Sequence, residues 1–288
     1  MSRVLITNDD GIDSPGLRAL AEVARDRGHD TLVAAPSWDS SGASAAVTGV
    51  TQEHHLLVEP RDWVDWEPGT VLAVNATPAL ICRSALQGKF GQAPDIVLSG
   101  INRGANTGRA ILHSGTVGAA LTAYNQRRPA LAISLAVTAP AGPKGSYWAT
   151  AAAVAGRLLE WLTTETRPVV LNCNVPNVAP DQLRGLRVGR LAPVGIAQTS
   201  LTEQAGDAVQ VTVGAGDHGA VDNAASPPDE PIPAGPRPLQ TDAALLEDGY
   251  ACVTAVIPVT EDPDVELTTA LGPDILNLGT ASLRNGEL

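Results

Sequence analysis

Two adjacent carboxylates, Asp9 and Asp10, follow a short apolar run near the start of the chain and precede Gly11. Neighbouring anions repel each other unless protons or a cation neutralise them. A pair that offers only oxygen atoms suits a hard divalent cation such as Mg²⁺ or Mn²⁺. Asp-Asp-Gly is also good turn chemistry ahead of a helix, so this stretch alone leaves two interpretations open, a metal site and a simple turn with a cap.

Two further stretches carry groups that can hold phosphate. Residues 100–108 have a glycine at every fourth position, with Asn102 and Asn106 midway between the glycines. Such a chain turns sharply and presents amide groups without adding charge, although a plain surface loop has the same composition. Residues 113–120 open a predicted helix with hydroxyls and a glycine, which is typical of a phosphate seat and equally of an ordinary serine cap.

Each of these stretches follows or precedes a predicted element in an alternating series. Buried strands are predicted at 4–7, 31–35, 95–99, 130–135 and 169–173, and helices at 15–24, 78–86, 116–124 and 147–162. This alternation predicts an α/β fold with a Rossmann-like open, mostly parallel sheet and helices on both faces. The loops after successive strands of such a sheet meet at one edge, so we expect them to form one site together with the hydroxyl-rich loop 37–44.

The chain divides into two predicted regions. Residues 1–180 form the catalytic core, with a hairpin excursion at about 47–74 in which 70–74 pairs with the segment before it. Residues 181–288 form a β-rich extension and tail that serves oligomerisation, with a strand at 209–213 and a late strand at 250–257 that returns to the core. Residues 215–238 are dense in Gly, Pro and Asp, which favours a long or partly disordered loop.

Composition excludes several classes of protein. The 288 residues carry 19 basic and 31 acidic side chains, a net charge of −12, and only two lysines. No basic stripe is present to bind the backbone of a nucleic-acid duplex. The chain enters its first strand without a leader and has no uncharged 18-residue span, so we expect a cytoplasmic protein without membrane contact. The three cysteines lie scattered in apolar runs, which indicates reduced core residues.

Taken together, the motifs resemble the SurE (survival protein) family of metal-dependent nucleotidases. The likeness spans most of residues 3–256 and is specific at Asn8–Gly11, Ser41–Gly42, 99–108 and Ser114–Val117. The resemblance implies a Rossmann-like core, one divalent cation (Mg²⁺ or Mn²⁺) per subunit, and removal of phosphate from 5′- and 3′-nucleoside monophosphates. It also implies a homodimer or homotetramer.

The resemblance assigns roles position by position. The residues that match the family's metal ligands are Asp9, Asp10, Ser41 and Asn102. The residues that match its phosphate-lining positions are Asn106, Ser114, Gly115 and Thr116. We expect Asp9, Asp10 and Asn106 to be the catalytic residues, with a metal-activated water attacking phosphorus. Asp9 is favoured over Asp10 as the proton acceptor, but the sequence does not decide between the two carboxylates.

Two other classes of function compete with this interpretation. A non-catalytic nucleotide- or metabolite-binding protein could use the same metal site. A dinucleotide-dependent oxidoreductase is disfavoured, because the first strand-to-helix turn is acidic where a pyrophosphate needs an uncharged glycine-rich cradle.

Trp38, in the loop after the second strand, could stack on a base or anchor its own loop. Ser37 stands where the family usually has an aspartate, which alters support of this loop.

Overall fold

The computed structural model describes residues 1–49, 51–52, 55–137, 145–193 and 240–260. The helices and strands named below lie in one compact unit, residues 1–257. A second unit, residues 258–288, is described only at residues 258–260.

The strands of the described chain are β1 (Arg3–Thr7), β2 (Asp30–Pro36), β3 (Thr51–Gln52), β4 (His55–Leu56), β5 (Val58–Pro60), β6 (Val71–Val74), β7 (Ile96–Arg103), β8 (Ala130–Ala136), β9 (Val170–Pro176), β10 (Leu186–Val188) and β11 (Ala251–Val256). The α-helices are α1 (Pro15–Asp26), α2 (Pro78–Leu86), α3 (Gly115–Asn125), α4 (Trp148–Leu162) and α5 (Asp242–Glu247). Short 3₁₀ helices cover Gly108–His113 and Pro180–Gln182.

Nine of these strands form one sheet in the order β10-β11-β9-β8-β7-β1-β2-β6-β5. Neighbouring strands are parallel except where β11 meets β9 and where β5 meets β6. The strands β3 and β4 form a separate hairpin. The predicted Rossmann-like, mostly parallel sheet is confirmed.

Both faces of this sheet are covered. Leu5 packs in the core cluster on one face, whereas Val4 and Ile6 pack in the cluster on the other, because successive strand side chains point to opposite faces. Helices α1 and α4 contribute to one cluster, and α2 and α3 contribute to the other. A continuous run of parallel strands from β6 to β9 therefore ends at one common edge between the two helical layers.

Two strands differ from the sequence-based prediction. The excursion predicted to include Val71–Val74 is smaller than expected, because β6 pairs parallel with β2 in the main sheet as well as antiparallel with β5. All four β6 residues are buried, and a fully apolar run of this kind is typical of a strand covered on both faces. The strand predicted at 95–99 continues to Arg103, with an irregular register between Ser99 and Asn102.

The last described elements return to the sheet. The late strand expected at 250–257 is present as β11, which pairs antiparallel with β9 and parallel with β10. The strand predicted at 209–213 and the loop predicted at 215–238 lie outside the described residues. The division of the chain at residue 180 into a core and an oligomerisation extension stays a prediction.

The cysteines are buried and free of disulfide bonds, as predicted for Cys82, Cys173 and Cys252. Burial raises the pKa of the Cys82 and Cys173 thiols, so they are uncharged core groups. Within the described ranges, none of the helices combines the length and the apolar character that a bilayer crossing requires.

Candidate metal and phosphate site

The turn after β1 presents the two carboxylates at the common edge of the sheet. The side chain of Asn8 closes this turn, since its Nδ2 donates to the Gly11 carbonyl at 2.9 Å and its Oδ1 accepts from the Gly11 N–H at 3.2 Å. Gly11 has a φ of +96°, and a Cβ there would lie 3.2 Å from the carbonyl oxygen of Trp38. Both the backbone conformation and the close approach of the next loop therefore require glycine.

Three separate segments converge on Asp9 and Asp10. The Asp9 carbonyl accepts from the N–H of Ser40 at 2.7 Å and from its hydroxyl at 3.2 Å. The Asp9 carboxylate accepts from the N–H of Thr116 at 3.0 Å and from its hydroxyl at 2.6 Å. Oδ2 of Asp10 accepts from the N–H of Arg103 at 3.1 Å. The loops after β2 and β7 and the start of α3 thus meet at the first turn, as the sequence predicts.

Glycines allow this approach. A Cβ on Gly115 would lie 2.8 Å from Oδ2 of Asp9, so the first turn of α3 rests directly on the carboxylate. A Cβ on Gly118 would lie 2.2 Å from the carbonyl oxygen of Ser44, which shows how closely the loop after β2 lies on α3. The hydroxyl of Ser44 also donates to the Leu112 carbonyl at 2.6 Å, which fixes this loop to the segment before α3.

Ser41 follows Ser40, which donates to Asp9, and Asn102 precedes Arg103, which donates to Asp10. The hydroxyl of Ser41 donates to Oδ1 of Asp39 at 2.6 Å, so its oxygen lone pairs are not used by this bond. Nδ2 of Asn102 donates to the Gly104 carbonyl at 2.8 Å, which directs the amide oxygen away from that carbonyl. Both side chains therefore present a neutral oxygen of the kind that a hard cation accepts.

The electrostatics of the pair fit a cation. Burial raises the pKa of Asp9, and the hydrogen bonds from Thr116 oppose that rise. Burial and the neighbouring charge of Asp9 raise the pKa of Asp10 to about 7. The carboxylate of Asp39 adds repulsion on both groups. Two carboxylates held together in this way are ready to be neutralised by a positive ion.

Only two of the four predicted metal ligands are carboxylates. Among the described residues, no three His, Cys, Asp or Glu side chains form a group that could hold a metal ion. A cation here would therefore depend on Asp9 and Asp10 together with the neutral oxygens of Ser41 and Asn102. An all-oxygen set of this kind suits Mg²⁺ or Mn²⁺, which keep water and substrate oxygens among their ligands.

Asn106 is held by other buried polar groups. Its N–H donates to Oδ1 of Asn174 at 2.7 Å, and its carbonyl accepts from Nδ2 of Asn172 at 3.0 Å and of Asn174 at 2.8 Å. Its own Nδ2 donates to the hydroxyl of Ser134 at 3.0 Å, a bond that uses one of the two amide hydrogens. The side chain predicted to bind phosphate is therefore positioned by strands β8 and β9.

The start of α3 combines a cap with support for Asp9. The hydroxyl oxygen of Ser114 accepts from the Val117 N–H at 3.1 Å, so the serine is a helix cap, and this bond does not use its hydroxyl hydrogen. The two donors of Thr116 go to Asp9, and Gly115 packs on the same carboxylate. A phosphate contact for Gly115 and Thr116 stays a prediction, since the structure uses both residues to position a ligand carboxylate.

Sequence reasoning does not assign roles to several residues that build the site. Oδ2 of Asp242 accepts from the Gly108 N–H at 2.7 Å, and its Oδ1 accepts from the N–H groups of Ala192 and Ala243, each at 2.9 Å. This buried carboxylate ties the start of α5 to the loop that carries Asn106. The sequence does carry a sign of the polar network around Asn106. Asn172 and Asn174 interrupt the apolar strand β9, and buried amides need hydrogen-bond partners.

A cleft of about 340 Å³ opens beside the carboxylate pair. Residues 10–14 and 37–39 line it. Asp10 is therefore both a predicted ligand and a wall of this cleft, whereas the other predicted ligands and the predicted phosphate residues do not line it.

The comparisons with known proteins agree with these observations. The family model of survival protein SurE matches residues 4–197. The 5′-nucleotidase SurE of Xylella fastidiosa (strain M12) is 38% identical over 191 residues, which cover 66% of this chain and 70% of that protein. The 5′-nucleotidase SurE of Ectopseudomonas mendocina (strain ymp) is 39% identical over 190 residues, which cover 66% and 71%.

A solved structure has the same fold. The crystal structure of SurE protein from Aquifex aeolicus matches with a TM-score of 0.63 and 24% identity, covering 93% of this chain and 98% of that one. The family model matches most of the chain, including the turn, the loops and the helix start that surround Asp9 and Asp10. The chain therefore belongs to the SurE family.

Proposed function

We propose that this protein is a divalent-metal-dependent 5′/3′-nucleotidase that hydrolyses nucleoside monophosphates to nucleoside and phosphate. The observation that carries the proposal is the convergence of three segments on buried Asp9 and partly exposed Asp10. The two relatives compared above carry the name 5′-nucleotidase, which supports the substrate class.

Charge explains why a cation is required. A phosphate monoester is an anion, and Asp9, Asp10 and Asp39 would repel it from the metal-free site. The residues that would hold the cation are Asp9, Asp10, Ser41 and Asn102. When bound, a divalent ion supplies positive charge at the phosphoryl oxygens and lowers the pKa of water.

The structure favours Asp10 over Asp9 as the proton acceptor. Asp9 is only 3% exposed, and both of its carboxylate oxygens accept hydrogen bonds from Thr116. Asp10 is partly exposed and lines the cleft, and its Oδ2 is the oxygen that accepts from the Arg103 N–H. A proton released by the attacking water would therefore pass to Asp10, contrary to the preference for Asp9 drawn from the sequence.

Asn106 and Ser114 are the groups that would bind the phosphoryl oxygens. Each has a donor hydrogen beyond the bond that positions it, one on the Asn106 amide and one on the Ser114 hydroxyl. The asparagines of β9 clamp the Asn106 backbone before substrate arrives. Donors held in place in advance stabilise developing charge without reorganising during the reaction.

The direct test measures phosphate release from 5′- and 3′-nucleoside monophosphates with EDTA, Mg²⁺ and Mn²⁺ in parallel. We expect release only with a divalent ion, and a loss of roughly 100-fold or more in Asp10→Asn. Asp26→Asn is the matched control, because Asp26 is an exposed carboxylate at the other end of α1. Wild-type turnover that persists in EDTA, or equal loss in both variants, would contradict the proposal.

A binding protein without catalysis is the second candidate, because the same residues could hold a nucleotide without hydrolysing it. Calorimetry with Mn²⁺ and a nucleoside monophosphate separates the two functions. Tight binding of both, with no phosphate released from any phosphomonoester, would favour the binding protein.

A further inference from the structure

We infer that the indole ring of Trp38 is the platform on which the nucleobase of the substrate stacks. The inference rests on the proposed function and deepens it, because it states which part of the substrate occupies the cleft between residues 10–14 and 37–39. The ligand class is a nucleoside that carries a single phosphate.

The first support is the place of Trp38 beside the reacting groups. Trp38 and Asp10 line the same cleft, whose volume of about 340 Å³ falls in the range of small-molecule sites, roughly 300–1,000 Å³. About a third of the Trp38 residue, 36%, is exposed. A nucleotide that reaches Asp10 with its phosphate would therefore have this cleft, with Trp38 in its wall, for its nucleoside.

The second support is the rigidity of the backbone that carries the ring. The N–H of Ser37 donates to the Val74 carbonyl at 3.0 Å, and the N–H of Ser40 donates to the Asp9 carbonyl at 2.7 Å. Between these bonds, the carbonyl of Trp38 lies against Gly11. The loop is thus fixed by its main chain on both sides of Trp38, so a ligand that binds there does not have to order this loop.

The third support is the contrast with other tryptophans. Trp63, Trp66 and Trp148 pack against the described core, and Trp63 and Trp66 contact each other and two arginines of α1. Trp38 is not among the side chains that pack on that core within the described residues. The alternative that Trp38 anchors its own loop is therefore disfavoured, because main-chain bonds already do so.

The charges of the cleft select the kind of nucleotide. Three carboxylates, those of Asp10, Asp13 and Asp39, line it, and the lining residues in the described chain include no Lys or Arg. Such walls repel additional phosphate groups, whereas a carboxylate can accept hydrogen bonds from ribose hydroxyls. An aromatic face stacks on any nucleobase. The cleft therefore fits an uncharged nucleoside end.

The test compares AMP with ribose 5-phosphate, which has the same phosphate and sugar but no base. We expect wild type to prefer AMP in kcat/KM by roughly tenfold or more, the scale that base–aromatic stacking supplies. Trp38→Ala should lower kcat/KM for AMP much more than for ribose 5-phosphate, which removes this preference, and Trp38→Phe should retain part of it. Trp161→Ala, on the half-exposed Trp161 of α4, is the control.

A binding measurement keeps the inference separate from catalysis. Adenosine, which has no phosphate, is titrated into EDTA-treated protein and followed by calorimetry. Weaker binding in Trp38→Ala and unchanged binding in Trp161→Ala would support the inference even if no nucleotide is hydrolysed. Equal adenosine binding in wild type and Trp38→Ala, or equal losses for AMP and ribose 5-phosphate, would overturn it.

Discussion

The positions of Asp9 and Asp10 are unfavourable for charged carboxylates. Asp9 is buried and Asp10 beside it is only partly exposed, and the structure compensates only in part, with donors from Thr116 and the Arg103 backbone. Groups whose protonation differs between folded and unfolded states make stability depend on pH. The metal-free protein should therefore reveal the strain of this pair in its unfolding.

The pH dependence has a definite sign. The pKa of Asp10 is about 7 in the folded protein against an ordinary value of 3.8. Between these values the folded protein keeps a proton that the unfolded chain has lost, so the contribution of Asp10 to the free energy of unfolding falls as pH rises and levels off above about 7. The whole contribution is on the order of 4 kcal/mol, and about 2–3 kcal/mol of it is lost between about pH 5 and about pH 8.

Urea unfolding in EDTA at about pH 5 and about pH 8 measures this contribution. Asp10→Asn should lose much of the decline seen in wild type, and Asp26→Asn should keep it. Adding Mn²⁺ at the higher pH should stabilise wild type more than Asp10→Asn, because a ligand that binds only the folded state raises the free energy of unfolding. The same decline in wild type and Asp10→Asn would contradict the prediction.

Gly115 offers a second test at the residue scale. Alanine suits a helix interior better than glycine by roughly 1 kcal/mol, yet at this position its Cβ would lie 2.8 Å from Oδ2 of Asp9. We expect Gly115→Ala to displace the carboxylate and to weaken both Mn²⁺ binding and phosphate release, the latter by about 100-fold. Calorimetry and the phosphate assay measure the two effects.

The control for this variant is Gly156→Ala in α4. The three atoms nearest to its Cβ would all belong to the guanidinium end of the Arg27 side chain, which can move away. Gly156→Ala should bind Mn²⁺ like wild type. A Gly115→Ala protein with unchanged Mn²⁺ affinity would show that Asp9 has room to adjust.

At the scale of single residues, the sequence predicts which residue types could form the site. It does not predict which groups each side chain hydrogen-bonds to. An adjacent acidic pair after an apolar run is visible in the sequence, so Asp9 and Asp10 are found at once. The hydrogen bonds from Thr116 to Asp9 and from Ser41 to Asp39 are not visible, because each depends on how the chain turns. The sequence therefore gives no sign that both donors of Thr116 serve Asp9.

At the scale of helices and strands, the sequence likewise predicts the local structure better than its partners. Apolar runs bounded by turn residues predict the parallel strands and the four long helices. The position of β6 is missed because an apolar run does not indicate which strand it pairs with. Helix α5 is missed because a helix of six residues is too short to show a helical period. Yet α5 matters, since its first residue, Asp242, holds the loop that carries Asn106.

Removing the Asp242 carboxylate should affect both stability and catalysis. Asp242→Ala leaves the N–H groups of Gly108 and Ala192 without their acceptor, which costs roughly 1–3 kcal/mol for each group that stays buried. We expect a lower free energy of unfolding in urea and weaker phosphate binding, because Asn106 loses its neighbouring anchor. Mn²⁺ affinity should change less, since Asp242 does not contact Asp9 or Asp10.

Asp248→Ala is the matched control, because Asp248 is an exposed carboxylate at the other end of α5. It should leave stability and KM close to the wild-type values. Loss of Mn²⁺ binding in Asp242→Ala that is as large as the loss of phosphate binding would show that α5 supports the whole sheet edge instead of the Asn106 loop.

At the scale of the whole molecule, assembly and net charge are the properties that bear on function. The predicted homodimer or homotetramer stays a prediction, which light scattering of the purified protein checks. The charge is certain from the sequence, at −12, and the acidic side chains of the cleft have the same sign as the substrate. The protein therefore repels the molecule that it is proposed to bind, and a bound cation offsets this repulsion only close to the site.

This repulsion predicts an unusual salt dependence. Raising KCl from about 0.01 M to about 0.15 M shortens the screening length from roughly 30 Å to roughly 8 Å. At saturating Mg²⁺, kcat/KM for AMP should rise over this range, because screening weakens the repulsion between the acidic protein and an anionic substrate. Affinity for the cation should fall over the same range, and adenosine binding, which involves no charge, should stay constant. A kcat/KM that falls with salt would instead show that the loaded site attracts AMP over long range despite the net charge, and that the bound cation dominates the field that the substrate meets.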